Sequence, residues 1–214
     1  MKLYTYFRSS AAYRVRIVLA LKGLDYSAAP VHLVRGGGEH LGADYSRINP
    51  QQLLPALEAD GHILTQSTAI CEYLEETHPE PALLPKDPYR RAYLRSLMSL
   101  IACEIHSVNN LRLLTYLTKV LNHSEAERTE WYRHWIADGL AKLEASLARE
   151  KLSGRFCLGD TPTLADAFLV PQLYNARRYE CPLDAFPLVR AIDANASALA
   201  AFQVARPEVQ GDAP

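Results

Sequence analysis

Residues 78 to 88, HPEPALLPKDP, divide the chain into two stretches whose hydrophobic patterns follow different periods. Proline stands at positions 79, 81, 85 and 88. A residue without an N–H, recurring every few positions, supports neither a helix nor a sheet interior. Before this segment strand-like and helix-like patterns alternate, and after Tyr89 only helical periodicity remains. The sequence therefore predicts two domains, residues 1–82 with mixed α/β structure and residues 88–214 with helices alone.

In the first domain, Leu3 to Phe7 reads as a strand, and Val15, Val18 and Leu19 share a helical face that Gly23 closes as a C-terminal cap. A second strand is expected over Ser27 to Leu33, followed by the breaker Gly36-Gly37-Gly38 and a short helix around Leu41 to Tyr45. Two more strands, Leu54 to Glu58 and His62 to Thr65, flank a turn at Asp60-Gly61, and a helix opens at Gln66-Ser67. The order is βαβαββα. Helices are expected over 89–120, 125–149, 163–178 and 187–201, with Thr163 and Asp166 forming a capping box for the third.

Composition narrows the possible partners. With 49% hydrophobic residues in 214, the chain can bury a substantial core. Its 23 Lys and Arg nearly balance 24 Asp and Glu, and no basic run offers a nucleic-acid footprint. No stretch reaches the roughly 18 apolar residues of a membrane span, and the first residues lack the apolar core of a signal peptide. A cytoplasmic protein is expected, without nucleic acid or membrane as partner. Cys71, Cys103, Cys157 and Cys181 are widely spaced and form no C-x-x-C, so reduced and mostly buried thiols are expected, and no metal site.

Pro55 at the start of a strand is either an edge-strand residue or part of a turn with a cis bond that leaves the Leu54 backbone free to hold a ligand. Ser9-Ser10 and Gln66-Ser67 both head helices, where unsatisfied N–H groups attract anions.

Four blocks carry a resemblance. "SSAAYRVRIVLALKG" is similar to the zeta-class glutathione transferase signature S-S-C-x-x-R-V-R-I-x-L-x-L-K-G, and "NPQQLLPALE", "LTQSTAICEYLEE" and "IHSVNNLRLLTYL" also match that class. The likeness runs from about residue 1 to about residue 205, with Ala11 in place of the signature cysteine. It implies a thioredoxin-like, glutathione-binding N-terminal domain and an all-helical domain carrying substrate-side residues, as in the glutathione transferase fold. It further implies a homodimer, glutathione as cofactor, and isomerisation of maleylacetoacetate. Alternatives are isomerisation of maleylpyruvate, general glutathione conjugation or peroxidase activity, and a binding module without catalysis.

Under this resemblance Ser9 donates to the glutathione sulfur, with Ser10 and the first helical turn favouring the thiolate; the plainer alternative is that the two serines only cap the helix. Gln66 and Ser67 take the γ-glutamyl carboxylate and Leu54, before Pro55, the cysteinyl amide, while His40, Gln51, His106 and Asn110 line the same site. A dicarboxylate substrate calls for fixed cations, and Arg8, Arg112 and Arg178 occupy matching positions, with Arg177 as the rival of its neighbour. Arg14 and Arg16 are expected to make structural salt bridges, and Trp131 and Trp135, four residues apart on a helix, to pack in the core.

Overall fold

One mixed sheet of four short strands, in the order β2-β1-β3-β4, forms the centre of the first unit of this computed structural model, which describes residues 1–214. β1 (Lys2–Thr5) runs parallel to β2 (Ser27–Pro30) and antiparallel to β3 (Ala56–Ala59), which pairs antiparallel with β4 (His62–Thr65). Between and after them lie α1 (Ser10–Leu21), α2 (Ala43–Ile48) and α3 (Ser67–Thr77), so the chain order is the βαβαββα read from the sequence.

β2 is shorter than expected and stops at Pro30, not Leu33. Val31 N–H still reaches Thr5 O at 2.8 Å, but the proline has no donor and the chain leaves the sheet there. α1 ends as Gly23 suggested. Gly23 N–H bonds to Ala20 O and Leu24 N–H to Leu19 O, the paired bonds of a Schellman motif, with Gly23 at a φ of 63°.

α1 is buried on nearly every side, including Arg14 and Arg16, each 1% exposed. The expected salt bridges are absent for Arg16. Its guanidinium donates to Thr5 Oγ1, Tyr6 O, Phe7 O and Ala205 O, so carbonyl and hydroxyl oxygens satisfy it in place of a carboxylate, and burial lowers its pKa to about 10. The buried ion pair of this unit is Lys22 with Glu75, at 2.7 Å.

The second compact unit is Leu84–Ser197, while Ala198–Pro214 belongs with Met1–Leu83. This corrects the expected range 88–214 at its far end. The segment leaves the helical unit because α9 (Ala200–Val204) buries Phe202 against α1. For the same reason the helix expected over 187–201 ends at Ser197, as α8 (Pro187–Ser197).

The second unit contains α4 (Pro88–Ser99), α5 (Leu111–Lys119), α6 (Glu125–Glu150), α7 (Leu164–Arg178) and α8. A single helix over 89–120 does not form. Leu100–Ile105 widens into a π-helical turn, Ser107–Asn109 tightens into a 3₁₀ turn, and Asn110 starts α5 as its N-cap. A Cβ on Gly139 of α6 would lie 2.2 Å from Ile105 Cγ1, so the missing side chain lets α6 approach the widened turn. Asp166 accepts the Thr163 N–H and hydroxyl and the Cys157 N–H, which fixes the start of α7 in the expected capping box.

Candidate active site

The turn from β1 into α1 presents Arg8, Ser9 and Ser10. Ser9 N–H bonds to Tyr6 O at 2.9 Å, and Ser9 Oγ accepts the Ala12 N–H at 3.2 Å as the N-cap of α1. A hydroxyl has one proton and two lone pairs. Capping uses a lone pair, so the proton remains available for an acceptor outside the cap. Ser10 is the first helical residue and is buried, and no acidic side chain in the first turn offsets the positive end of the helix. Arg8 is exposed, donates to Tyr6 Oη at 3.1 Å and lies 5.1 Å from the Phe7 ring centroid.

A second group of candidates meets at the start of α3. Ser67 Oγ accepts from Arg14 Nη1 at 3.2 Å. A guanidinium carried by α1 therefore adds positive charge where the α3 N–H groups emerge. This residue was read from the sequence only as structural; what would have pointed to it is its place one turn after Ser10 in the same buried helix. Gln66, the N-cap, has φ 68° and ψ 116°, a strained backbone for a residue with a side chain. Gln66 Nε2 donates to Gln51 Oε1 at 2.6 Å, and Gln51 Nε2 to Thr65 Oγ1 at 3.2 Å.

The loop carrying Gln51 and Leu54 is organised by Asn49, which is fully buried. Asn49 accepts the Gln51 N–H and donates to Leu53 O, which also accepts from Tyr45 Oη at 2.7 Å. Burial pushes the Tyr45 hydroxyl up to about 12, so it remains a neutral donor. Neither residue was picked out from the sequence. The Leu54–Pro55 peptide is cis, and Leu54 lies outside both ladders, whose pairing in β3 begins at Ala56. β3 is an inner strand, so Pro55 precedes a central strand and the edge-strand alternative is set aside. His40 sits in a 3₁₀ turn, Glu39–Leu41, beside this loop, since Gln52 Nε2 donates to Leu41 O. Its Nδ1 is buried without a partner, and burial lowers its pKa.

The remaining candidates belong to the second unit. Asn110 Oδ1 caps α5 through the Leu113 N–H at 3.1 Å, and its Nδ2 donates to Ser107 O. Arg112, exposed in the first turn of α5, stands where the helix dipole disfavours a cation. Such a local disagreement points to a task other than stability. His106 is half-buried at the end of the π-helical turn. Arg177 is engaged by Asp193, which is buried, whereas Arg178 is exposed and lies 4.9 Å from the Tyr179 ring centroid. Tyr179 stacks on Tyr132 at 3.6 Å between centroids, and Asn109 Nδ2 donates to Tyr132 O. Tyr132 thus connects the surroundings of Asn110 with those of Arg178. Trp131 and Trp135 pack edge to face, and Trp131 Nε1 donates to Val108 O at 2.9 Å.

Three of the four cysteines, Cys71, Cys157 and Cys181, are buried, and Cys103 is exposed. Burial raises Cys71 to about 12 and raises Cys157 as well, which suppresses their thiolates, and all four cysteines are free.

Family models for the glutathione S-transferase N-terminal and C-terminal domains match residues 3–82 and 125–202. A maleylacetoacetate isomerase of Pseudomonas aeruginosa is 48% identical, over all of this chain and 99% of the relative. A solved bacterial zeta-class transferase, a maleylpyruvate isomerase, superposes with a TM-score of 0.97 at 46% identity and full coverage of both chains. A maleylacetoacetate isomerase of Methylobacterium extorquens, solved with malonate and glutathione bound, gives 0.95 at 38% identity, again with both chains fully covered. With two-domain matches, near-half identity along the whole length and the same fold, the chain belongs to the zeta class of the glutathione S-transferase family.

Proposed function

We propose that this protein is a glutathione-dependent cis-trans isomerase of maleylacetoacetate, and that the Ser9 hydroxyl, with its proton left over from capping α1, is the group that favours a bound thiolate. The observation that carries the reading is the single bond from the Ala12 N–H to Ser9 Oγ, at the start of a helix whose first turn carries no acidic side chain.

The residues fit glutathione. Leu54, outside the ladders, has an N–H and a C=O to offer a peptide. Ser67, Gln66 and Gln51, backed by Arg14, form an anion receptor at the start of α3. His40, with an unpartnered buried nitrogen, can hold a further polar end. Glutathione, when bound, supplies a thiolate that adds reversibly to the cis double bond of the substrate, allows rotation about it, and leaves again. Ser9 and the first amides of α1 hold negative charge at sulfur. A free thiol ionises near pH ~8.5, and each unit of lowering is worth about 1.4 kcal/mol.

Arg8, Arg112 and Arg178 are assigned to the carboxylates of the acid, which a guanidinium fork can bind at two oxygens. The partnering of Arg177 with Asp193 supports Arg178 as the member of that pair left for substrate. His106 and Asn110 are retained as site residues on the family resemblance. That resemblance also supports a homodimer working in the cytoplasm.

A second reading, isomerisation of maleylpyruvate, is supported by the close superposition on an enzyme of that name. Ultraviolet assays with both acids, with and without glutathione, decide between them. Turnover of maleylacetoacetate is expected to require the tripeptide and to exceed that of maleylpyruvate. Ser9→Ala should lower kcat by at least about 10-fold and raise the bound thiol pKa by about one unit. Glutathione-independent turnover, or an unchanged thiol titration in Ser9→Ala, would overturn the assignment.

A further inference from the structure

The last seventeen residues, Ala198–Pro214, return to the first unit, where they pack on α1 and reach the residue before Arg8. Phe7 N–H donates to Asp212 Oδ2 at 2.9 Å. Phe7 O and Tyr6 O accept from the buried Arg16, and that same guanidinium donates through Nε to Ala205 O at 3.0 Å. The backbone that leads into the Arg8-Ser9 turn is therefore held by one buried cation and one carboxylate from the end of the chain.

The tail is built to present that carboxylate. Gln210 Nε2 donates to Val204 O and Arg206 O, stitching the segment back onto the end of α9. The Ala213 N–H then bonds to Gln210 O at 3.0 Å, closing a tight turn with Asp212 inside it. Asp212 also bears electrostatically on Arg16, whose charge it favours. A carboxylate aimed at a single backbone N–H, one residue before Arg8 and two before Ser9, is a means of setting where those side chains stand.

We propose that Asp212 is a positioning residue for the Arg8-Ser9 turn, acting through the Phe7 N–H, and that the C-terminal segment is thereby part of the catalytic apparatus without touching substrate. This rests on the isomerase reading above. It deepens that reading by adding a residue that neither the family blocks nor the helix caps point to.

The test uses the full chain with Asp212→Ala, Asp212→Asn and, as a tail control, Glu208→Ala at an exposed position. Each is assayed with glutathione and maleylacetoacetate across pH, and by amide hydrogen exchange without ligand. Asp212→Ala should lower kcat about 10-fold with little change in KM. It should raise the pH midpoint of the thiol and speed exchange at the Phe7 amide. Asp212→Asn keeps an oxygen acceptor and should recover most of the rate, and Glu208→Ala should match the wild type. Wild-type exchange at Phe7 together with wild-type kcat in Asp212→Ala would overturn the proposal, as would equal losses in the alanine and asparagine variants. Failure of the isomerase reading is a different result: no glutathione-dependent turnover by the wild type, with Phe7 exchange still deciding whether Asp212 holds the turn.

Discussion

His40 shows how burial gives a side chain its charge state. Its Nδ1 has no partner, and a Cβ on Gly38 would lie 2.9 Å from that nitrogen. Gly38 has a φ of 110°, so both its conformation and its lack of a side chain make room for the ring. Burial lowers the pKa of His40 in the folded chain, whereas the unfolded chain protonates it near pH ~6.5. Below that value the unfolded state takes up the proton first, so stability should fall as pH drops from about 6.5 toward the lowered folded value. In ligand-free denaturant titrations at about pH 8 and pH 5.5, His40→Gln should lose less stability on acidification than the wild type. The same residue marks what a sequence conveys about a site. Ser9, Gln66 and Ser67 could be placed at helix starts beforehand because a helix start is a local pattern, while His40 entered only through the family resemblance. Arg14 and Asp212 were not legible, since each acquires its role from a partner distant in the chain, whereas Asn49 bonds to near neighbours, Gln51 and Leu53, in an irregular loop that no periodicity describes.

At the scale of elements, the joint between α1 and α3 is the most exposed to single changes. Lys22 Nζ, fully buried, meets Glu75 and donates to His78 O and Pro81 O, while Glu75 accepts the Leu83 N–H. One ammonium thus ties the end of α1 to the end of α3 and to the proline segment behind it. Lys22→Met leaves a carboxylate buried without its cation and should cost about 3–5 kcal/mol in urea denaturation. Adding Glu75→Leu should return part of that loss, because no unpaired charge then remains. The order βαβαββα could be read beforehand because strand and helix periods are local properties of the chain. The interruption between α4 and α5 was missed because the helical periodicity runs through the π-helical turn, whose Ile105 lies where Gly139 of α6 has no side chain.

For the molecule as a whole, the return of the chain end matters most. Phe202 is fully buried against α1 although it lies beyond the helical unit in sequence. Phe202→Ala should therefore destabilise the protein by about 3–5 kcal/mol, and amide exchange should quicken in α1. The domain division at the proline segment was legible; the chain's last turn back was not, because the periodicity over 187–201 runs on past the break after Ser197. Both tryptophans, by contrast, fall within Leu84–Ser197. Indole emission is consequently a one-sided gauge. Light from Trp131 and Trp135 reports on the helical unit, with the Trp131 indole N–H hydrogen-bonded and that of Trp135 buried without an acceptor. Trp131 Nε1 is bonded to Val108 O, two residues from His106 and from Asn110, so an emission change on adding the tripeptide would support those two as site residues, and calorimetry measures binding whether or not they take part.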